Sequence, residues 1–245
     1  MIKHVTTPQC FSAFYSNKRP CCHNPHFHTE PPAKVKVGSF IGAATGALGA
    51  AFLLSRHQSK LLKKPVNLLN VKYSELGIET VATSSLVGGL SAGVALDDKK
   101  YRKAKFREGI HQAIANIMFP LLLIGIGNRV YDKLKPNIKL PQLPNTNKLN
   151  KFINASIQVM PNLLVTATGL IGGVCLGTKV SNKINECAEH HCHERKVKPL
   201  DFIYHPDDVA TALVLADKNG AVQKIVGKII PPIFTLCGYE TGIKR

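Results

Sequence analysis

Four long runs of this sequence are almost free of ionisable side chains, and no other feature narrows its fold as much. The first, Val37 to Leu54, carries no charge and is flanked by Lys34, Lys36 and Arg56. At a rise of about 1.5 Å per residue it is just long enough to cross a thin hydrocarbon core. The second, Leu76 to Leu96, contains only Glu79 and closes on Asp97, Asp98, Lys99 and Lys100. The third, Gly109 to Gly127, has His111 near its start and Pro120 at its middle, and the fourth, Ala155 to Gly177, holds Pro161 and Asn162. Proline is tolerated in a spanning helix because neighbours and water satisfy the freed carbonyl, so Pro120 predicts a kink.

The fold class that follows is all-α: a polytopic helical membrane protein with about four glycine-rich transmembrane helices and a C-terminal helical tail. Residues 1–35 read as a disordered basic tail, 36–180 as a four-helix membrane bundle with spans near 37–54, 76–96, 109–127 and 155–177, and 181–245 as a helical region that is partly interfacial. Residues 97–108 read as a basic connector. The three prolines of the Lys135–Lys148 stretch preclude regular helix and predict an extended connector. In the tail, His205-Pro-Asp-Asp208 reads as the start of a short helix through Ala216, with Asp207 and Asp208 as its caps. Val222, Ile225, Val226 and Ile229 then share one helical face until Pro231 and Pro232 stop the pattern, which suits an interfacial or docked helix better than a fifth span.

Glycine is costly inside a helix in water, by up to about 1 kcal/mol relative to alanine, but in lipid it lets another backbone come close. Three stripes of small residues four apart stand out: Gly38, Gly42 and Gly46; Ser85, Gly89 and Gly93; Gly169, Gly173 and Gly177. They predict tight helix packing, within one chain in preference to a homo-oligomer. Leu86-Val-Gly-Gly-Leu-Ser-Ala-Gly93 and Leu170-Ile-Gly-Gly-Val-Cys-Leu-Gly177 share one register, as two helical hairpins of like orientation would. In general layout these spans resemble the four-span, glycine-zipper subunits of the mitochondrial protein-import translocases. The Arg and Asp placement between that family's spans has no counterpart here, so no membership follows.

The formal charge of +17, from 32 Lys and Arg against 15 Asp and Glu, favours contact with anionic lipid headgroups. With no Trp and few aromatic rings to interleave with the basic runs, nucleic acid is not expected as a partner. The first thirty residues lack the apolar core of a secretory signal, although an organellar transit peptide stays open. Four spans put the N-terminal tail, the 97–108 connector and the C-terminal region on one face. Their Lys and Arg density favours both termini inside a cytoplasmic-type membrane, with an organellar membrane as the alternative.

That arrangement brings two Cys/His clusters to one side. Cys21, Cys22, His23, His26 and His28 form the first, and Cys187, His190, His191, Cys192 and His193 the second. Thiolate and imidazole suit zinc or another thiophilic metal, although neither spacing matches a zinc finger, and the base expectation is no cofactor. There is no phosphate loop, nucleophile elbow or acidic pair within a span, so an enzyme is not expected. The expectation is a non-enzymatic scaffold or pore-type membrane subunit packed through its glycine stripes, with metal binding or transport through the two clusters as the alternative.

Overall fold

The structure is a computed structural model that describes residues 30–137, 140–144, 147–189, 206–216 and 221–245. Among these residues every regular element is helical. Four helices are long and apolar enough to cross a membrane, spanning Ala33–Leu62, Glu75–Leu96, Lys99–Leu134 and Leu149–Cys187. Residues 1–29 and 190–205, which carry the first Cys/His cluster and most of the second, lie outside the described residues.

Helix α1 (Ala33–Leu62) and helix α2 (Glu75–Leu96) form an antiparallel pair. Ser74 starts α2 by accepting a hydrogen bond at its Oγ from the Gly77 N–H, at 3.2 Å, which satisfies one of the orphan donors of a helix start. Beyond α2 the expected 97–108 connector shrinks to Asp97 and Asp98, because Lys99–Tyr101 already turns and α3 (Arg102–His111) follows at once. The basic run is helical since its charges divide between faces. Arg102 and Lys103 are exposed, whereas Lys105 and Glu108 turn inward to partners.

Helix α3 continues through π-helical turns at Gln112–Met118 into α4 (Phe119–Leu134). The irregularity predicted for Pro120 takes this form. The Phe119 N–H reaches back five residues to the Ile114 carbonyl, and the wider turn relieves the clash between a proline ring and the carbonyl four residues before it. Helix α5 (Lys148–Glu189) is the longest and contains Pro161.

The tail departs most from expectation. Helix α6 (Pro206–Ala216) lies where a short helix is expected, but Pro231 and Pro232 do not end a helix. They occupy the first turn of α8 (Ile230–Ile243), where a missing N–H costs nothing, and the turn at Gly227–Ile229 joins it to α7 (Ala221–Val226). The chain is thus helical from Ala221 to Ile243, and α8 packs against both α1 and α2. A second group consists of α4 and the π-helical turns on α5, with α6 set against α5.

One buried cluster joins the two groups, drawing on Ala47, Val81, Leu86, Ile124, Leu215 and Phe234 among others. The outward faces carry large apolar side chains such as Phe40, Phe52, Leu53, Leu122 and Leu164, while Ser39, Ser85, Lys105, Asn128 and Thr166 are buried. Large apolar side chains exposed along several helices are what a lipid-facing surface would present.

Candidate functional site

The glycine stripes explain how the interior is built. A Cβ on Gly42 would collide with the Gly88 carbonyl oxygen and one on Gly46 with that of Ser84, while Gly38 lies under the Leu96 side chain. The α1 stripe therefore seats on Ser84, Gly88 and Leu96 of α2. The Ser85, Gly89 and Gly93 stripe faces elsewhere, to α8: Gly89 lies against the Gly238 carbonyl, Gly93 against that of Gly242, and Ser85 Oγ donates to the Phe234 carbonyl at 2.7 Å. Gly238 and Gly242, four apart in the tail, complete a small-residue stripe that sits behind the two prolines in the sequence. Gly169, Gly173 and Gly177 meet Ile124, Pro120 and Ala115 respectively, so the α5 stripe receives α4 and the π-helical turns. Each of the nine residues contacts another helix of the same chain.

Against this dry packing the inner face that runs from α3 into the π-helical turns is polar. Glu108, Gln112 and Asn116 recur four apart and are linked in series: Gln112 Nε2 donates to Glu108 Oε1 at 3.1 Å, and Asn116 Nδ2 donates to Gln112 Oε1 at 2.5 Å. Cys237 Sγ on α8 also approaches Gln112 Oε1, at 3.8 Å. At the outer end of this ladder Lys244 Nζ pairs with Glu108 Oε2 at 3.7 Å. At its inner end Asn116 lines a cavity of about 10 Å³, room for one water-sized species, together with Asp208, Thr211, Ile117, Leu121 and Phe234.

Helix α6 has 11 residues, about 16 Å of helix, roughly half of a hydrocarbon core. It begins at the small cavity, level with Ile117 of the Lys99–Leu134 helix and Leu170 of α5 and with the early turns of α2 (Ile78, Ala82) and α8 (Phe234). It ends toward the far side of the bundle, where Asn162 Nδ2 donates to the Ala216 carbonyl at 2.6 Å. Asn162 thereby satisfies one of the helix's last carbonyls. There a second cavity, of about 210 Å³, opens among Tyr131, Asp132, Lys135, Gln158, Asn162 and Ala216. Between the two cavities the buried Val214 and Leu215 of α6 fill the interior. The cap role expected for Asp208 is not what the geometry gives, since its carboxyl is buried and makes no hydrogen bond among the described residues.

A second charged group lies where the ends of α1, α2 and α8 converge. Asp97 accepts from Arg245 at 2.6 and 3.2 Å and lies 3.0 Å from Lys105 Nζ, which also donates to the Gly242 carbonyl at 2.5 Å. The Lys105 side chain is fully buried. Arg245 spreads over the Tyr101 ring at 4.3 Å and reaches the Glu30 carbonyl at 2.9 Å. Burial pushes the Asp97 carboxyl up, but hydrogen bonds from Arg245 and Lys105 outweigh it and hold the pKa down at about 2. A carboxyl whose folded pKa is depressed stabilises the fold above its unfolded value of about 4, and that contribution is lost as pH falls through the folded value. Acid titration of detergent-solubilised protein is therefore expected to loosen this end of the bundle between pH 4 and pH 2. The stability of Asp97→Asn should be insensitive to pH over that window; equal acid sensitivity in the variant would contradict the assignment.

Of the Cys and His residues proposed for a metal, only Cys187 is described, and it is an exposed free thiol near the end of α5. Cys21, Cys22, His23, His26, His28, His190, His191, Cys192 and His193 lie outside the described residues. Among the described residues no three His, Cys, Asp or Glu side chains are grouped to hold a metal. His111, which the sequence places at a span's edge, is buried well inside the Lys99–Leu134 helix with Nδ1 2.8 Å from Ser181 Oγ on α5. Sequence reasoning missed the α3 ladder because Gln and Asn carry no charge to flag them. No protein-family model, no curated protein and no solved structure matches this chain.

Proposed function

We propose that this chain is a non-enzymatic integral membrane protein of pore or carrier type, providing a gated polar path for a small cation through the bilayer. One observation carries the reading: the polar side chains Asp208 and Thr211 of α6 face a small interior cavity opposite a hydrogen-bonded ladder of Glu108, Gln112 and Asn116. Helix ends inside a membrane are tolerated where protein or a water-lined path surrounds them, and broken helices at mid-depth recur where transporters bind their cargo. Intramembrane ionisable groups are expensive and tend to mark ion pathways. The scaffold alternative has less support, because the stripes that would drive assembly are occupied within the chain.

The apolar outward faces of the long helices favour residence in a bilayer, and alkaline extraction of membranes tests it directly. The protein should stay in the pellet; release would overturn the membrane reading. For the path itself, full-length protein in proteoliposomes is given a Na⁺ gradient or a pH gradient and the flux is followed with ion-sensitive dyes. Flux above that of protein-free vesicles is expected, reduced at least tenfold by Gln112→Leu. Vesicles as tight as the protein-free ones under both gradients would return the assignment to a scaffold.

A further inference from the structure

The small cavity at the start of α6 has a composition that its packing does not require. Asp208 is only 8% exposed and Thr211, one turn on, only 5%, yet among the described residues neither side chain makes a hydrogen bond. Both border the cavity, with the Asn116 amide opposite. The Asn116 Nδ2 donates to Gln112, so the Asn116 Oδ1 is the atom left to accept. Buried polar groups are almost always paired, and a buried carboxylate without a partner is among the costliest groups a protein can hold. A carboxylate and a hydroxyl facing one water-sized space make that space a place for a positive charge.

We propose that Asp208, Thr211 and Asn116 form an oxygen-lined site for one small monovalent positive charge, a proton or a Na⁺-sized ion. The charges around it favour a cation. Asp207 stands beside Asp208 on α6, Glu240 and Cys237 face the region from α8, and Glu108 does so from α3, where Lys244 pairs with it. From α2 and α5 come only Ile78, Ala82 and Leu170. Oxygen donors without thiolate or imidazole select hard ions over the thiophilic metals considered for the Cys/His clusters. A cavity of about 10 Å³ admits a single ion stripped of most of its water. This site rests on the proposed path and deepens it by giving it a resting position between the ladder and the 210 Å³ cavity.

The test measures binding separately from conduction. Full-length protein in nanodiscs is melted across pH 5 to 9, with NaCl or with choline chloride at equal ionic strength. A ligand that binds only the folded state raises Tm, by roughly 5 °C when it is well above its dissociation constant. A rise on adding Na⁺ identifies the ion, and a rise on lowering pH in choline identifies the proton. In either case the shift should vanish in Asp208→Asn, which keeps the side-chain shape without the charge. Thr211→Val should shrink the Na⁺ shift and spare the proton shift. An equal response in Asp208→Asn and wild type would overturn the proposal, as would no response to either ion. Should Asp208→Asn not fold, carbodiimide labelling of the wild type, read by mass spectrometry, replaces it. An adduct at Asp208 suppressed by Na⁺ or by rising pH supports the site, and a level unchanged by both refutes it. Binding without flux would leave the site standing and sink the path; flux unchanged in Asp208→Asn would do the reverse.

Discussion

Gly89→Leu is expected to detach α8 from the α1–α2 pair, whereas Gly125→Leu should leave the bundle intact. At Gly89 a Cβ meets the carbonyl oxygen and carbonyl carbon of Gly238, which are backbone and cannot rotate aside, while at Gly125 there is nothing within 4 Å of the new atom. Overpacking an interior costs about 1–3 kcal/mol when side chains can rearrange, and a backbone obstacle puts the cost at or above the top of that range. Leucine at Gly125 should instead gain a few tenths to about 1 kcal/mol from helix propensity. Unfolding titrations in detergent with both variants give the comparison. The same leucine inserted at Gly173 should separate α4 from α5 by the corresponding collision with Pro120 and Phe119. If Gly89→Leu and Gly125→Leu unfold at the same denaturant concentration, α8 does not lie where it is described.

The other large effect is expected at Asp97. Asp97→Ala leaves the fully buried Lys105 ammonium with the Gly242 carbonyl and removes the carboxylate that holds Arg245. Breaking a buried ion pair from one side typically costs about 3–5 kcal/mol, because the remaining charge has lost both water and partner. Asp97→Ala combined with Lys105→Met should recover most of that loss, since methionine fills a similar volume without a charge to solvate. Non-additivity of this kind identifies a pair in contact. If Lys105→Met gave no recovery, the cost of Asp97→Ala would belong to Arg245 and not to the buried lysine.

The elements legible in the sequence were those that hydrophobicity controls directly. Uncharged apolar runs mark the four long helices, and Pro206 to Ala216 is bounded by its proline and by Asp217-Lys-Asn-Gly220. Partner choice is different in kind. Small residues make several faces of one helix suitable for close approach, so the spacing identifies stripes but not what each one meets. On α2 the sequence draws attention to Ser85, Gly89 and Gly93, while the neighbouring face with Ser84 and Gly88 receives α1. Gly238 and Gly242 were hidden because Pro231 and Pro232 read as a stop, although prolines in a first turn begin helices as readily as they end them.

The candidate site was less legible still. Lys105 sits in a run of basic residues that reads as a headgroup-facing connector, and only the position of Asp97 on the preceding turn reveals why it points inward. Gln112 and Asn116 lie within a span whose hydropathy is dominated by isoleucine and leucine. Asp208 follows Pro206 and Asp207 in the pattern of an ordinary helix start, and what distinguishes it is the company of α2, α4, α5 and α8, which are distant in sequence.

The seat of α8 also constrains the order in which the chain can be made. Ser85 and its partner Phe234 are 149 residues apart, so α2 leaves the ribosome long before the segment that covers it. Until then the α1–α2 hairpin has its Ser39 and Ser85 hydroxyls and a row of glycines exposed along one side. Local hairpins form early and long-range contacts close late. The nascent protein must therefore keep that groove unfilled through the synthesis of two further long helices, and any helix with small residues four apart that arrives first competes with α8 for it.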